Sequence, residues 1–254
     1  MVRSQTRLLF WLLLVLQHYV TATVLDTSHV YAVILAGGSG ERLWPLSKQH
    51  RPKQLLTIDN HNTLLDQAIE RLLPTVSAEH IWISTTNRYE TIINNRFGNR
   101  VGKVVKEPCS RNTGPAILLT CMTIYEYDPQ ALIIFVPVDA FIPEDHNYRF
   151  TKYLKQALTF SQNHDCITLL GVKPTYPATG YGYIEYVEDT LEAPHKVIKF
   201  HEKPSLDVSR DYMETGRMLW NIGIFSAKAS VFIDEFQKEA PEIFDGVSSY
   251  LHDQ

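Results

Sequence analysis

From Val30 onward the chain alternates short, uninterrupted apolar runs with stretches in which apolar residues recur every three or four positions. A continuous apolar run suits a strand buried on both faces, whereas the wider spacing suits a helix with one face on a core. Val30 to Ala36, His80 to Ser84 and Ala131 to Val136 accordingly read as strands, with Val101 to Lys106 extended. Between them, Asn62/Thr63 caps a helix that sets Leu64, Leu65, Ala68, Ile69, Leu72 and Leu73 on one stripe. A second helix follows Thr86, Arg111/Asn112 opens a third to about Tyr125, and His146/Asn147 opens a fourth to Ser161. Further strands are expected at Ile167 to Val172, Tyr181 to Tyr186, Val197 to Glu202 and Leu219 to Phe225. This alternation predicts an α/β fold with a mainly parallel sheet covered on both faces. No internal repeat or low-complexity linker divides it, so one domain over residues 29–254 is expected, with a second half beginning near Gly171.

The leading segment has a different pattern. Arg3 and Arg7 precede nine apolar residues, Leu8 to Leu16, and Val20-Thr21-Ala22 resembles a small-residue cleavage site. The run is shorter than the roughly 20 residues that span a bilayer. A signal peptide, a membrane anchor and an extension upstream of a start at Val24 or Val30 all stay open, and residues 1–28 are placed outside the fold.

Composition narrows the partners. With 24 basic and 28 acidic residues the net charge is -4, which argues against a nucleic-acid polymer while leaving room for a small phosphorylated ligand. The three cysteines, Cys109, Cys121 and Cys166, form no C-x-x-C pair, which fits reduced thiols and no metal on sulfur. A cytoplasmic location is expected, with membrane association only if the leading apolar segment is retained. The oligomeric state, a homo-oligomer included, stays open.

The chemistry begins where the first strand meets Gly37-Gly38-Ser39-Gly40-Glu41-Arg42. Glycines after a strand let backbone N–H groups converge on a phosphate, because no Cβ keeps the ligand away. The spacing excludes a dinucleotide fingerprint, since Leu43 stands where G-x-G-x-x-G needs glycine, and it lacks the Gly-Lys-Ser/Thr of a Walker loop. Arg42 adds a permanent planar cation, and Lys53 can bring a second charge to the same polyphosphate. A glycine-rich connector with a surface arginine remains the plain alternative.

The run Leu35-Ala-Gly-Gly-Ser-Gly-Glu-Arg-Leu-Trp-Pro-Leu-Ser47, followed by Pro52-Lys53-Gln54, resembles the opening signature of sugar-nucleotide pyrophosphorylases, specifically bacterial-type mannose-1-phosphate guanylyltransferases. Glu107-Pro-Cys-Ser-Arg-Asn-Thr-Gly-Pro-Ala116, Pro137-Val-Asp139, Pro174 to Ile184, Phe200-His-Glu-Lys-Pro204 and Leu219-Trp-Asn-Ile-Gly-Ile-Phe225 continue the likeness over about residues 30 to 250. The resemblance implies a Rossmann-like nucleotidyltransferase (GT-A-like) three-layer fold with a mainly parallel mixed sheet. It also implies transfer of GMP from GTP to α-D-mannose 1-phosphate, giving GDP-mannose and pyrophosphate with Mg²⁺ as cofactor.

By the family pattern, Leu35, Ala36, Gly37, Gly38, Ser39, Gly40, Arg42 and Lys53 hold the nucleotide, and Arg111 and Asn112 face its base. Arg42, Lys53 and Asp139 are the catalytic group, with Asp139 as the metal ligand. Gly180, Glu202, Lys203 and Asn221 are the sugar-phosphate group. The residues themselves also allow plainer readings: Asn112 as a helix cap, Asp139 as a turn former, Glu202-Lys203 as a solvated strand end, Asn221 as a satisfied turn asparagine. Ala140 stands where the family usually has histidine after the aspartate, and Glu41 where this branch usually has threonine or serine. The chain also stops at Gln254, before the position of a further acidic residue in the family. A sugar-nucleotide binder with little turnover, or a pyrophosphorylase for another nucleotide and hexose, is the alternative. A glycosyltransferase is disfavoured because no Asp-x-Asp motif surrounds Asp139.

Overall fold

The computed structural model describes residues 24–38, 40, 44–48, 51–57, 62–108, 113–187 and 194–253. Its centre is β1 (Val30–Leu35), an apolar run buried at every position before Leu35. β2 (Ile81–Thr86) and β4 (Leu132–Pro137) pair with it in parallel, and β3 (Lys103–Glu107) extends the parallel group beyond β2. Successive residues of a strand point to opposite faces. Val30, Ala32 and Ile34 therefore enter one core, beneath α1 (Leu64–Leu72), α2 (Asn87–Phe97) and α4 (Asn147–Asn163). Tyr31 and Val33 enter the other, beneath α3 (Thr113–Tyr127), α6 (Ala229–Glu239) and α7 (Pro241–His252). Each fully buried Ile or Leu contributes about 1.5–3 kcal/mol relative to exposure, so both faces of the sheet must be covered at once.

The sheet is mixed and mainly parallel. β8 (Met218–Lys228) runs against β4, and β5 (Thr168–Val172) and β6 (Gly182–Tyr186) run against β8. β7 (Val197–His201) closes the far edge antiparallel to β6, beside α5 (Leu206–Thr215). Among the described residues, β1 to β6 thus share one direction and β7 and β8 run the other way. Phe225 and Ser226 pair with both β4 and β5, and Trp220 and Asn221 pair with both β5 and β6. β4 and β6 consequently lie along the same edge of β8, and residues 222–224 fall between them. Gly223, at φ +73°, occupies this fork, where an added Cβ would sit 3.8 Å from Pro137.

α1 starts where the sequence signals it. Thr63 accepts from the Asp66 N–H at 3.1 Å while the Asp66 carboxylate accepts from the Thr63 N–H at 3.0 Å, a reciprocal capping box. The strand limits differ slightly from the apolar runs, because Ala78–His80 forms a 3₁₀ turn ahead of β2 and the Gly102 N–H bonds to the Ile81 carbonyl ahead of β3. The helices α5, α6 and α7 are additions to the sequence-based expectation. α6 leaves β8 directly with no side-chain cap at Lys228, and α7 opens on Pro241. Among the described residues no helix is long and apolar enough to cross a membrane.

Candidate active site

β1 ends in the glycine turn, and the backbone polarity of that turn is sorted by side chains that arrive from elsewhere. The Ala36 carbonyl accepts from Gln54 Nε2 and, at 3.1 Å, from Thr85 Oγ1. The Gly38 carbonyl accepts from the same Gln54 amide at 3.3 Å, and the Gly40 carbonyl accepts from Ser47 Oγ. Among the described residues nothing occupies the N–H groups of Gly37, Gly38 or Gly40. Carbonyls bonded and amides left open give the described part of the turn a bias of partial positive charge, which is what an anion requires.

Lys53 packs against the glycines of the turn, and at Gly40 the fit demands glycine. Gly40 lies at φ +78°, and a Cβ there would come within 2.9 Å of Lys53 Cβ. At Gly38 a Cβ would meet Lys53 Cε at 3.1 Å and Nζ at 3.2 Å, so the ammonium rides directly over the turn. That ammonium ends 2.7 Å from Asp139 Oδ2. The carboxylate belongs to the turn after β4, which is pinned to β1 by the Val138 N–H on the Leu35 carbonyl at 3.2 Å. It is two-fifths exposed, whereas the Lys53 side chain is largely covered.

Glu107, the last residue of β3, reaches the opposite side of the turn. Its Oε1 lies 3.0 Å from the point a Gly37 Cβ would occupy, and it accepts from Ser84 Oγ at 2.9 Å. Burial pushes its carboxyl above the ordinary value, with the Ser84 hydroxyl opposing. Beside it opens a cavity of about 610 Å³ between the start of α3 and α7, walled by Pro115, Ala116, Leu119, Ile243 and Val247.

The second half presents another group. Glu202 and Lys203 pair with each other at the end of β7, both more than half exposed, and Lys203 takes a left-handed backbone at φ +36°. Glu202 also leans over Gly182, its Oε2 3.2 Å from the position of a Cβ there. A Cβ at Gly180 would meet no protein atom within 4 Å, leaving open space at that residue. Asn221 sits at the fork in the sheet, where its Oδ1 accepts from the Gly223 N–H at 3.0 Å and its amide is left to donate.

The fold therefore brings Gly37, Gly38, Gly40, Lys53 and Asp139 together, with Leu35 and Ala36 leading into them. Glu202 and Lys203 gather separately, and β8 with Asn221 connects the two regions without a direct hydrogen bond or ion pair among the described residues. Ser39, Arg42, Arg111 and Asn112 lie outside the described residues. Gln54, Thr85 and Glu107 carried no assigned role on sequence grounds. Gln54 and Glu107 stood inside the quoted motifs without a role, and Thr85 showed only as a polar residue near the end of an apolar strand.

Asp139 suits Mg²⁺ in one way. That ion binds through one or two carboxylates together with substrate phosphates and water, so a half-exposed carboxylate beside a turn with open backbone amides fits it. Among the described residues no cluster of three or more His, Cys, Asp or Glu could cage a metal alone.

Comparison with known proteins identifies the family and the fold. The family model for nucleotidyl transferases matches residues 31–254. The chain is 36% identical over 221 residues to the alginate biosynthesis protein AlgA of Pseudomonas fluorescens, covering 84% of this chain and 44% of that one. It is 35% identical over 230 residues to mannose-1-phosphate guanylyltransferase 2 of Escherichia coli O157:H7, covering 85% and 46%. A Thermus thermophilus structure described as a mannose-1-phosphate geranyltransferase superposes with a TM-score of 0.79 at 28% identity, covering 88% of this chain and 64% of that one. The chain spans about half the length of the curated relatives it matches.

Proposed function

The chain belongs to the nucleotidyl transferase family, and on that premise we propose that it transfers GMP from GTP to α-D-mannose 1-phosphate, releasing pyrophosphate and forming GDP-mannose. A phosphate oxygen of the sugar phosphate attacks the α-phosphorus in line as the bond to pyrophosphate breaks. No protein nucleophile is needed, so the protein's work is positioning and charge neutralisation.

The open amides of Gly37, Gly38 and Gly40 bind triphosphate oxygens, and Lys53 neutralises charge as pyrophosphate departs. Arg42 shares that role by the family pattern. Asp139 would hold Mg²⁺, which when bound would supply Lewis-acid neutralisation of the phosphates. Glu107 and the adjoining apolar cavity offer a base two acceptor oxygens and flat walls, which suits the N1–H and N2–H₂ donors of guanine. Glu202, Lys203, Asn221 and the open backbone at Gly180 serve the hexose phosphate, Lys203 exchanging Glu202 for the ligand's phosphate. A GTP substrate is in keeping with a cytoplasmic location.

The observation that carries this reading is the sorted polarity of the glycine turn, carbonyls bonded and amides open, under a lysine tied to Asp139. A pyrophosphate-release assay with Mg²⁺ tests it, with GTP, dTTP, UTP and ATP offered against mannose and glucose 1-phosphates. GTP with mannose 1-phosphate is expected to give the highest kcat/KM. Ala140, standing where the family usually has histidine after the aspartate, favours a second reading, a sugar-nucleotide binder with little turnover. That reading predicts tight GTP or GDP-mannose binding without pyrophosphate release.

A further inference from the structure

Arg71, in the last turn of α1, is the buried cation for which neither the core nor the proposed chemistry accounts. It is only 6% exposed, and among the described residues no carboxylate lies within ion-pairing distance. Its acceptors are the Ala140 carbonyl, reached by Nη1 at 2.9 Å, and Asn147 Oδ1, reached by Nε at 3.3 Å. Its guanidinium lies 5.7 Å from the centroid of the Phe150 ring. Burial pulls its pKa below the ordinary arginine value, with no anion offsetting the effect.

Desolvating a guanidinium to bond neutral acceptors is a poor route to stability, since an unbranched apolar side chain such as methionine would fill much of the same space without that cost. What the arrangement does achieve is local. Ala140 directly follows Asp139, and Asn147 opens α4, so the two bonds hold both ends of the loop that leaves the aspartate. On its other side the same turn is held by the Val138 N–H on Leu35 and the Ala140 N–H on Pro137. We propose that Arg71 is the positioning residue for Asp139: by fixing the Ala140 carbonyl and Asn147 it sets where the carboxylate stands relative to the glycine turn and its metal. This rests on the metal-binding reading of Asp139. Arg71 acts through that residue and touches no substrate.

The test compares Arg71→Leu, Arg71→Lys, Asp139→Asn and the Arg71→Leu/Asp139→Asn double variant in the full chain. Melting temperature, pyrophosphate-release kcat and Mn²⁺ affinity by electron paramagnetic resonance, with and without GTP, are measured for each. Arg71→Leu is expected to weaken Mn²⁺ affinity and kcat by about 10- to 100-fold at temperatures well below its melting transition, the usual effect of removing a group that orients a metal ligand. Arg71→Lys, which keeps one donor nitrogen in place of the two that Arg71 uses, is expected to recover part of both. In the Asp139→Asn background, Arg71→Leu is expected to cause no further loss of Mn²⁺ affinity. A lowered melting temperature with unchanged Mn²⁺ affinity would make Arg71 a structural residue and overturn the proposal, as would an equal loss in both backgrounds. If Asp139→Asn alone leaves Mn²⁺ affinity intact, the metal-binding reading fails first, and that result is distinguishable from failure of Arg71 alone.

Discussion

Lys53 Nζ and Asp139 Oδ2 stand 2.7 Å apart, joining the loop after the glycine turn to the end of the central strand's neighbour, 86 residues away. The pair sets the two charges that a polyphosphate and its metal would each claim, so binding them must exchange the internal ion pair for two new ones. Asp139→Asn is expected to lower pyrophosphate-release kcat by about 100- to 1,000-fold, as for other preorganised charge-stabilising groups. Lys53→Met is expected to lower kcat as well, yet to tighten Mn²⁺ binding to the nucleotide-free protein, because the carboxylate loses its competitor. Unchanged or weaker Mn²⁺ binding in Lys53→Met would show that the two residues do not share an anion-and-metal site.

The glycines of the turn separate fold from function. Gly40→Ala meets a positive φ and a 2.9 Å contact to Lys53, so a destabilisation of about 1–2 kcal/mol is expected in urea unfolding. Gly38→Ala meets only the flexible end of Lys53, at 3.1 and 3.2 Å, and Gly38 is exposed. Its added methyl obstructs the open amides, so GTP affinity is expected to fall with little change in unfolding free energy. Equal loss of stability in both variants would contradict the assignment of Gly38 to ligand contact.

Glu107 makes a signed pH prediction. Burial raises its carboxyl above the ordinary value of 4.5, so the folded protein holds that proton more tightly than the unfolded chain. The resulting contribution to stability is complete below pH 4.5 and is lost as pH rises through the raised value. Glu107→Gln keeps an acceptor for Ser84 but no longer titrates. Melting curves from about pH 4 to about pH 8 should therefore show the variant gaining on the parent as pH rises. A difference that stays constant across the range would mean that Glu107 titrates normally.

The fold was largely legible because the central strands are continuous apolar runs: Val30–Leu35 and Leu132–Pro137 are buried on both faces and leave no period-two ambiguity. Thr63, a capping residue ahead of a clear apolar stripe, announced α1 in the same way. α6 was hidden because it grows out of β8 without a cap, so the apolar run Ile222 to Phe225 merges into the helix that buries Phe232. In the site, the glycine cluster was visible as composition. The groups that make it a receptor were not, because their contacts are long-range: Gln54 on Ala36 spans 18 positions, Thr85 on Ala36 spans 49, and Arg71 on Ala140 spans 69. Local pattern carries no trace of such pairings.

Asp66 ties the start of α1 to the stability of the whole arrangement. Its buried carboxylate closes the capping box with Thr63, accepts from Arg96 at 3.1 Å, and pairs with Arg100. Burial alone would raise its pKa, but the Thr63 hydroxyl and Arg100 outweigh it and hold the carboxyl below its ordinary value of 3.8. The unfolded chain therefore binds that proton more readily, so the stabilisation is present above pH 3.8 and is lost as pH falls below it. Asp66→Ala removes the cap and the anion shared by Arg96 and Arg100, both of which stay close to half exposed, an expected cost of about 1–2 kcal/mol in urea unfolding at neutral pH. Asp66→Asn keeps an acceptor for the Thr63 N–H and should lose less. The gap between parent and either variant should narrow when unfolding is repeated at about pH 3. Arg71 lies in the last turn of α1, so the same variants should weaken Mn²⁺ affinity only under conditions where α1 itself loosens. A loss of metal affinity at full stability would mean that Asp66 reaches the site by some route other than this helix.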